Sequence, residues 1–268
     1  GGALAVWHKE LNKPRTVNPN DAMQGSYLGP AYEQDFIEDG LSTCGAKFDS
    51  VTEDEMIEQT AQALAGGKAI GWFQGRMEFG PRSLGGRSIL GDPRSEKMQK
   101  TLNLKVKYRE SFRPFAPSVL REDVTDWFEL DYDSPYMLLV DNVKKDKRIQ
   151  MTTEEESLFG IDKLNIKRSD IPAVTHVDYS ARIQTVHKKT NPKYHALINK
   201  FKEKTGCSVV VNTSFNVRGE PIVCTPKDAF YCFMGTEIEL LVVGNCVMRK
   251  DRQDKNLVND YKDNFDLD

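Results

Sequence analysis

Ten basic side chains lie between Arg76 and Arg113: Arg76, Arg82, Arg87, Arg94, Lys97, Lys100, Lys105, Lys107, Arg109 and Arg113. Four acidic ones, Glu78, Asp92, Glu96 and Glu110, oppose them, so the stretch carries net +6 inside a chain of net −3. Arginine forks match phosphate oxygens in pairs and lysine adds a point charge, so charge segregated in this way suits polyanion binding. A solvated helical face is the ordinary explanation of a charge run. It fits poorly here, because Gly71, Gly75, Gly80, Gly85, Gly86, Pro81, Pro114 and Pro117 interleave with the cations, and a helix does not tolerate that punctuation. Arginines on tight loops point to a built pocket.

A second polar loop lies far along the chain. Asn212-Thr213-Ser214-Phe215-Asn216-Val217-Arg218-Gly219-Glu220-Pro221 is dense in short hydroxyl and amide side chains, which can donate to phosphate oxygens or read an amide. Taken alone, its Asn, Ser and Gly have an equally good explanation as turn formers. Paired with the basic loops, and with Arg182 from the segment Thr175–Arg182, it suggests one anionic ligand approached from several sides. No G-x-x-x-x-G-K-[ST] occurs, so an ATP site here is not of the Walker type. The five cysteines include no C-x-x-C pair and the four histidines no H-x-x-x-H pair, so no protein-built metal site is expected and any metal arrives with a nucleotide.

The elements that must position these loops read as α/β. Thr52-Glu53-Asp54-Glu55 is a capping box for a helix over about 53–65, stopped at Gly66-Gly67. Lys68–Phe73 is a short apolar strand, and the basic loops begin at its carboxyl end, where open α/β sheets usually bind ligands. Ser95 caps a helix carrying Met98 and Leu102, the segment from Arg113 to Leu120 is extended, and Tyr136–Val140 is a further strand. Asn191-Pro192 starts a helix with Tyr194, Leu197, Ile198 and Phe201 on its buried face, ended by Gly206. A strand follows over Cys207–Val211, then the polar loop, a helix capped by Thr225 and a strand over Ile238–Val243. Helix, strand, polar loop, helix, strand is an α/β pattern. Residues 12–50 read as a linker, 141–168 as a mobile charged insertion, and everything after Lys250 as a frayed or docked tail. No run approaches the roughly 18 apolar residues of a membrane span, and no signal peptide is visible, so a cytoplasmic protein is expected.

The stretches GRMEFGPRSLGGRSILGDPR, KYRESFRPFAPSVL, THVDYSARIQTV and VVVNTSFNVRGEPIVCTPKDA resemble, in order, the carboxyl-terminal, YrdC-like domain of the O-carbamoyltransferase family (NodU/TobZ-like). The resemblance spans roughly residues 20–250. It implies a twisted mixed sheet with flanking helices over 51–250, preceded by the end of an upstream actin-like ATPase-type domain and a linker (1–50) and followed by a tail (251–268). In that family the upstream domain carries the metal site and transfers the carbamoyl group to an acceptor hydroxyl. This half would be an enzyme of activation, converting carbamoyl phosphate and ATP to a carbamoyl-adenylate.

Carried onto this sequence, the resemblance assigns Lys107, Arg109 and Arg113 to phosphates and makes Arg76, Arg82 and Arg182 further anion clamps. Ser214 and Asn216 match an S-x-N element that binds nucleotide phosphate or the carbamoyl group, with Asn212 nearby. Lys107, Arg109, Ser214 and Asn216 form the expected catalytic set. ATP is the expected nucleotide, with magnesium on its phosphates; carbamoyl phosphate and the upstream catalytic domain are the expected partners, and a homodimer is compatible with them. Threonylcarbamoyl-adenylate synthesis for tRNA modification, RNA or polyanion binding without chemistry, and a non-catalytic scaffold remain as alternatives. RNA binding would show itself in affinity falling steeply with salt.

Overall fold

Among the described residues nine strands form one mixed sheet: β1 (Asp49–Ser50), β2 (Ile70–Phe73), β3 (Arg87–Gly91), β4 (Ala116–Leu120), β5 (Leu139–Asn142), β6 (Ser180–Val186), β7 (Val209–Ser214), β8 (Leu240–Val243) and β9 (Cys246–Arg249). Their order is β1-β9-β8-β2-β3-β7-β4-β6-β5. The structure, a computed structural model, describes residues 1–16, 21–164, 166–257, 261 and 265. β2 runs parallel to β8 and β4 parallel to β6, while the other neighbouring pairs are antiparallel. β2, β4 and β8 are buried along their length and β7 as far as Asn212, which explains why β2 and β8 read as apolar runs rather than alternating ones.

The helices start and stop where their caps dictate. Thr52 accepts from Glu55 N while the Glu55 carboxylate returns to Thr52 N, opening the helix Glu53–Ala65. Asn191 caps Pro192–Thr205, and Gly206 closes that helix in the left-handed region at φ 75°. Thr225 and Asp228 form another capping box, for Pro226–Met234. The helices Glu53–Ala65 and Pro192–Thr205 pack on each other. Tyr194, Leu197, Ile198 and Phe201 are wholly buried, as their spacing requires.

Several sequence expectations need correction. The stretch from Arg76 to Arg113 is not all loop: Arg87–Gly91 is a central strand, possible because the Arg87 guanidinium is taken up by carbonyls rather than by water. The next helix begins at Met98 with Lys97 at its N-cap and no side-chain cap, so Ser95 does not start it. The strand foreseen at Tyr136–Val140 is displaced to Leu139–Asn142, behind Met137 at φ 55°. β6 extends through Val186, where only a polar segment ending at Arg182 was read.

The linker reading of residues 12–50 holds for none of its second half. Gln34–Thr43 is a helix that buries Ile37 and Leu41, and Asp49–Ser50 pairs with β9. Residues 17–20 lie outside the described ones. Among the described residues between 141 and 168 there is no long element, only the end of β5 and short helical turns, tied to the body by a bridge from Arg148 to Ser169. Beyond Lys250, Gln253 is buried and exchanges hydrogen bonds with both backbone groups of Lys47, and Tyr261 and Phe265 pack against the core.

Candidate active site

The polar loop after β7 is built around one buried lysine. Lys107 Nζ donates to the Ser214 carbonyl (2.5 Å), Asn216 Oδ1 (2.6 Å) and the Asn216 carbonyl (2.9 Å), with Ser214 Oγ at 3.2 Å. Ser214 Oγ donates to Asn216 Oδ1 at 2.7 Å, and Asn216 Nδ2 donates to the Glu220 carbonyl at 2.6 Å. Arg218 N returns a bond to the Lys107 carbonyl. Lys107 is only 3% exposed, so its ammonium sits beneath the turn rather than projecting from it. Burial, and then the Arg109 guanidinium, pull its pKa down to about 7.

Arg109 is placed by its neighbours. Its Nε donates to Asn103 Oδ1 at 2.7 Å, its backbone N–H to the Asn103 carbonyl, and its guanidinium stands 5.2 Å from the Phe115 ring centre. Partial burial and then the nearby Arg113 lower its pKa to about 10. Arg113 is more exposed and pairs with Glu110 at 3.1 Å; Arg218 reaches the same carboxylate at 3.6 Å. Glu110 thus faces both Arg113 and Arg218.

Arg182 and Arg82 form a second cationic group. Arg182 is lowered in pKa by burial and by Arg82, and neither side chain has a hydrogen bond or ion pair among the described residues. The sheet relates this pair to Ser214. Side chains two apart on a strand share a face, so Ser214 and Asn212 project together from β7, and Gln184 and Arg182 from β6. Asn212 Nδ2 donates to Gln184 Oε1 (2.9 Å), Ser118 Oγ (3.0 Å) and the Ser83 carbonyl (3.1 Å). Asn212 is therefore a brace joining β7, β4, β6 and the loop that carries Arg82, buried at 1% exposure.

Arg76 stands apart. It donates to the Gly29 carbonyl and lines a cavity of about 730 Å³ with Tyr27, Gln74, His187 and Asn191, none of which belongs to the Lys107 cluster. Of the residues singled out in the sequence, the structure brings Lys107, Ser214, Asn216, Arg109 and Arg113 into one cluster and puts Arg82 within electrostatic reach of Arg182. It places Asn212 between these groups.

Sequence reasoning missed the acid that shapes the glycine-rich loop. Glu78 Oε1 accepts from Leu84 N (2.6 Å), Gly86 N (2.7 Å) and Arg87 N (3.4 Å). Its signal was a lone carboxylate inside a run of glycines and arginines. Arg87 was counted only as charge, yet it is fully buried, donates to the carbonyls of Gln74, Gly75, Gly86 and Pro30, and lies 3.5 Å from the Phe73 ring centre. Nothing in its sequence context separates it from the solvent-facing arginines.

Residues 61–250 match the family profile described as Carbamoyltransferase C-terminus. The chain belongs to that family. An uncharacterized protein of Synechocystis is 56% identical over the whole of this chain and 44% of its own length. Nodulation protein NolO of Bradyrhizobium diazoefficiens is 39% identical over 93% of this chain and 42% of its own length. The 3'-hydroxymethylcephem-O-carbamoyltransferase of Amycolatopsis lactamdurans is 36% identical over 70% of this chain and 32% of its own. The chain spans less than half the length of these relatives. Full-length HypF in its phosphate- and nucleotide-bound form overlays with a TM-score of 0.43 at 18% identity, over 80% of this chain and 23% of that one, too distant to add to the assignment. The Lys107 cluster and the Arg82–Arg182 pair both fall inside the region matched to the carbamoyltransferase C-terminus.

Proposed function

We propose that this domain activates carbamoyl phosphate with ATP and that the upstream part of the full-length enzyme passes the carbamoyl group to an acceptor hydroxyl. The balanced chemistry has water convert carbamoyl phosphate to carbamate and phosphate. A carbamate oxygen then forms a bond to the α-phosphorus of ATP, and the α–β bridging bond breaks to release pyrophosphate. Both reactants are polyanions, so holding them together needs fixed cations, and charge developing on phosphoryl oxygens needs donors already in place. In this reading Arg109, Arg113, Arg82 and Arg182 bind and orient the anions. Lys107 holds Ser214 and Asn216 in one geometry, and those two present neutral polar groups to the reacting centre.

The observation that carries the reading is the Lys107–Ser214–Asn216 network, which a patch evolved for charge alone does not need. Among the described residues no three His, Cys, Asp or Glu side chains are grouped to hold an ion. Magnesium in this reading accompanies the nucleotide and neutralises its phosphates. No described helix is long and apolar enough to cross a membrane, and the proposed setting is the cytoplasm.

The test uses the full-length enzyme and follows pyrophosphate formed from labelled ATP with and without carbamoyl phosphate. Arg109→Ala removes a charge-assisted contact, so ligand affinity measured by calorimetry falls by roughly 1.5–3 kcal/mol. Asn216→Ala removes neutral groups, so affinity changes less while the rate drops. Equal loss of affinity in both variants at low salt, with no separate effect on rate, would make the site a charge patch.

A further inference from the structure

Tyr261 lies beyond the family-matched residues and reaches the candidate active site. The Tyr261 hydroxyl donates to Glu220 Oε1 at 2.5 Å. The other carboxylate oxygen of Glu220 accepts from Val217 N at 2.7 Å, and the Glu220 carbonyl accepts from Asn216 Nδ2. Glu220 therefore has one oxygen on the tail, one on the backbone of the S-x-N turn, and its main chain on the Asn216 side chain. It is 8% exposed, and burial raises its pKa while the Tyr261 hydroxyl first, then Val217 N, the Cys232 thiol and the Lys107 ammonium, act the other way. A carboxylate kept in such a place is held by its donors.

The tail's approach is built into the chain at Gly235. A Cβ on Gly235 would sit 2.0 Å from Tyr261 Cβ, whereas its own φ of −82° suits any residue, so the requirement is for space alone. The Gly235 carbonyl accepts from the Tyr108 hydroxyl at 2.7 Å, and Tyr108 directly follows Lys107. The end of the helix Pro226–Met234 thus meets both Tyr261 and the segment that carries Lys107 and Arg109. The ring of Phe265 lies edge-on to Tyr261, with centres 5.3 Å apart.

We infer that Tyr261 is a positioning residue: through Glu220 it fixes the turn that presents Ser214 and Asn216, so that the tail completes the active site without touching substrate. This role in catalysis rests on the activation reading above, but the geometric part does not. Tyr261→Phe removes one hydroxyl and keeps the ring against Gly235, and Gly235→Ala displaces the ring while leaving Glu220 intact.

Amide hydrogen exchange on the full-length protein tests the positioning itself. Residues 214–220 exchange at least about five-fold faster in Tyr261→Phe and in Gly235→Ala, while the strands β2 and β8 keep wild-type protection. Steady-state kinetics then test its consequence. In Tyr261→Phe, kcat for carbamoyl phosphate-dependent pyrophosphate release falls about ten-fold with KM for ATP within two-fold, and the acid limb of the rate shifts to higher pH because Glu220 has lost the donor that favoured its charged form. Unchanged exchange at 214–220 in both variants overturns the inference whatever the kinetics show. Wild-type enzyme that releases no pyrophosphate overturns the activation reading instead, and the exchange data still decide the role of Tyr261 in holding the turn. Changed exchange with wild-type kcat and pH profile in an active enzyme overturns the catalytic part.

Discussion

Glu78 accepts the backbone N–H of Gly86 at 2.7 Å across the loop that carries Arg82. With Leu84 N and Arg87 N on the same oxygen, the carboxylate acts as the missing strand partner for a segment that has no regular structure. Replacing it by alanine leaves buried N–H groups without an acceptor, at about 1–3 kcal/mol for each group left unsatisfied. Glu78→Ala is expected to lose about 3 kcal/mol in urea unfolding. A change below about 0.5 kcal/mol, the range of an ordinary surface substitution, would show that the loop holds its own shape.

Arg182 and Arg82 repel in the absence of an anion, since each is the other's charged neighbour and neither has an acid partner among the described residues. Arg182→Met therefore leaves thermal stability equal to or above wild type. Affinity for ATP or carbamoyl phosphate falls by about 1.5–3 kcal/mol, the value of a charge-assisted bond. A calorimetric Kd that does not move would remove this pair from the site.

The lowered pKa of Lys107 gives a stability dependence on pH with a definite sign. Its folded value is about 7 against 10.5 for an ordinary lysine. Between those limits the unfolded chain binds more protons than the folded one, so stability rises with pH across that window. Activity should run the opposite way, falling as pH climbs above about 7, because the uncharged amine donates more weakly to Ser214 and Asn216. Urea titrations of wild type and Lys107→Met at pH 7, 8 and 9 would show the rise in wild type alone. Parallel pH profiles of the two proteins would refute the assignment.

Gly85 cannot carry a side chain. Its φ is +104° and a Cβ there would lie 2.2 Å from the Tyr194 ring, which is buried in the core. Gly85→Ala is expected to destabilise by about 2–4 kcal/mol, combining backbone strain with overpacking. Differential scanning calorimetry measures it directly, and a Tm within 1–2 °C of wild type would show that Tyr194 can move aside.

What could be read from the sequence was whatever had a local cause. Thr52, Asn191 and Thr225 announced their helices because an N-cap acts over three or four residues, and the S-x-N turn was visible because its polar atoms are contiguous. The pairing of Lys107 with Ser214 and Asn216 came from resemblance to a family; charge and spacing alone suggested only an anion pocket. Hidden features have causes distant in sequence. Arg87–Gly91 escaped notice as a strand because its neighbours β2 and β7 supply the pairing, and an arginine at its start reads as solvent-facing until the Gln74, Gly75 and Pro30 carbonyls are seen. Asp49–Ser50 is a strand only because Val247 and Cys246 lie beside it. Glu220 is in sequence one more polar residue of its loop, and its partner Tyr261 lies 41 positions away.

The interlock of residues 34–50 with the far end of the chain bears on what can be cut out and still fold. Gln34 donates to Cys246 Sγ and accepts from Asn245 N, and Gln253 is plugged into the backbone of Lys47. A piece trimmed to residues 61–250 would expose the outer edge of β9 and the apolar faces that Ile37 and Leu41 cover. It would offer an unpaired strand to any passing chain. Aggregation of such a piece would reflect where it was cut, and would not measure the domain's own capacity to fold.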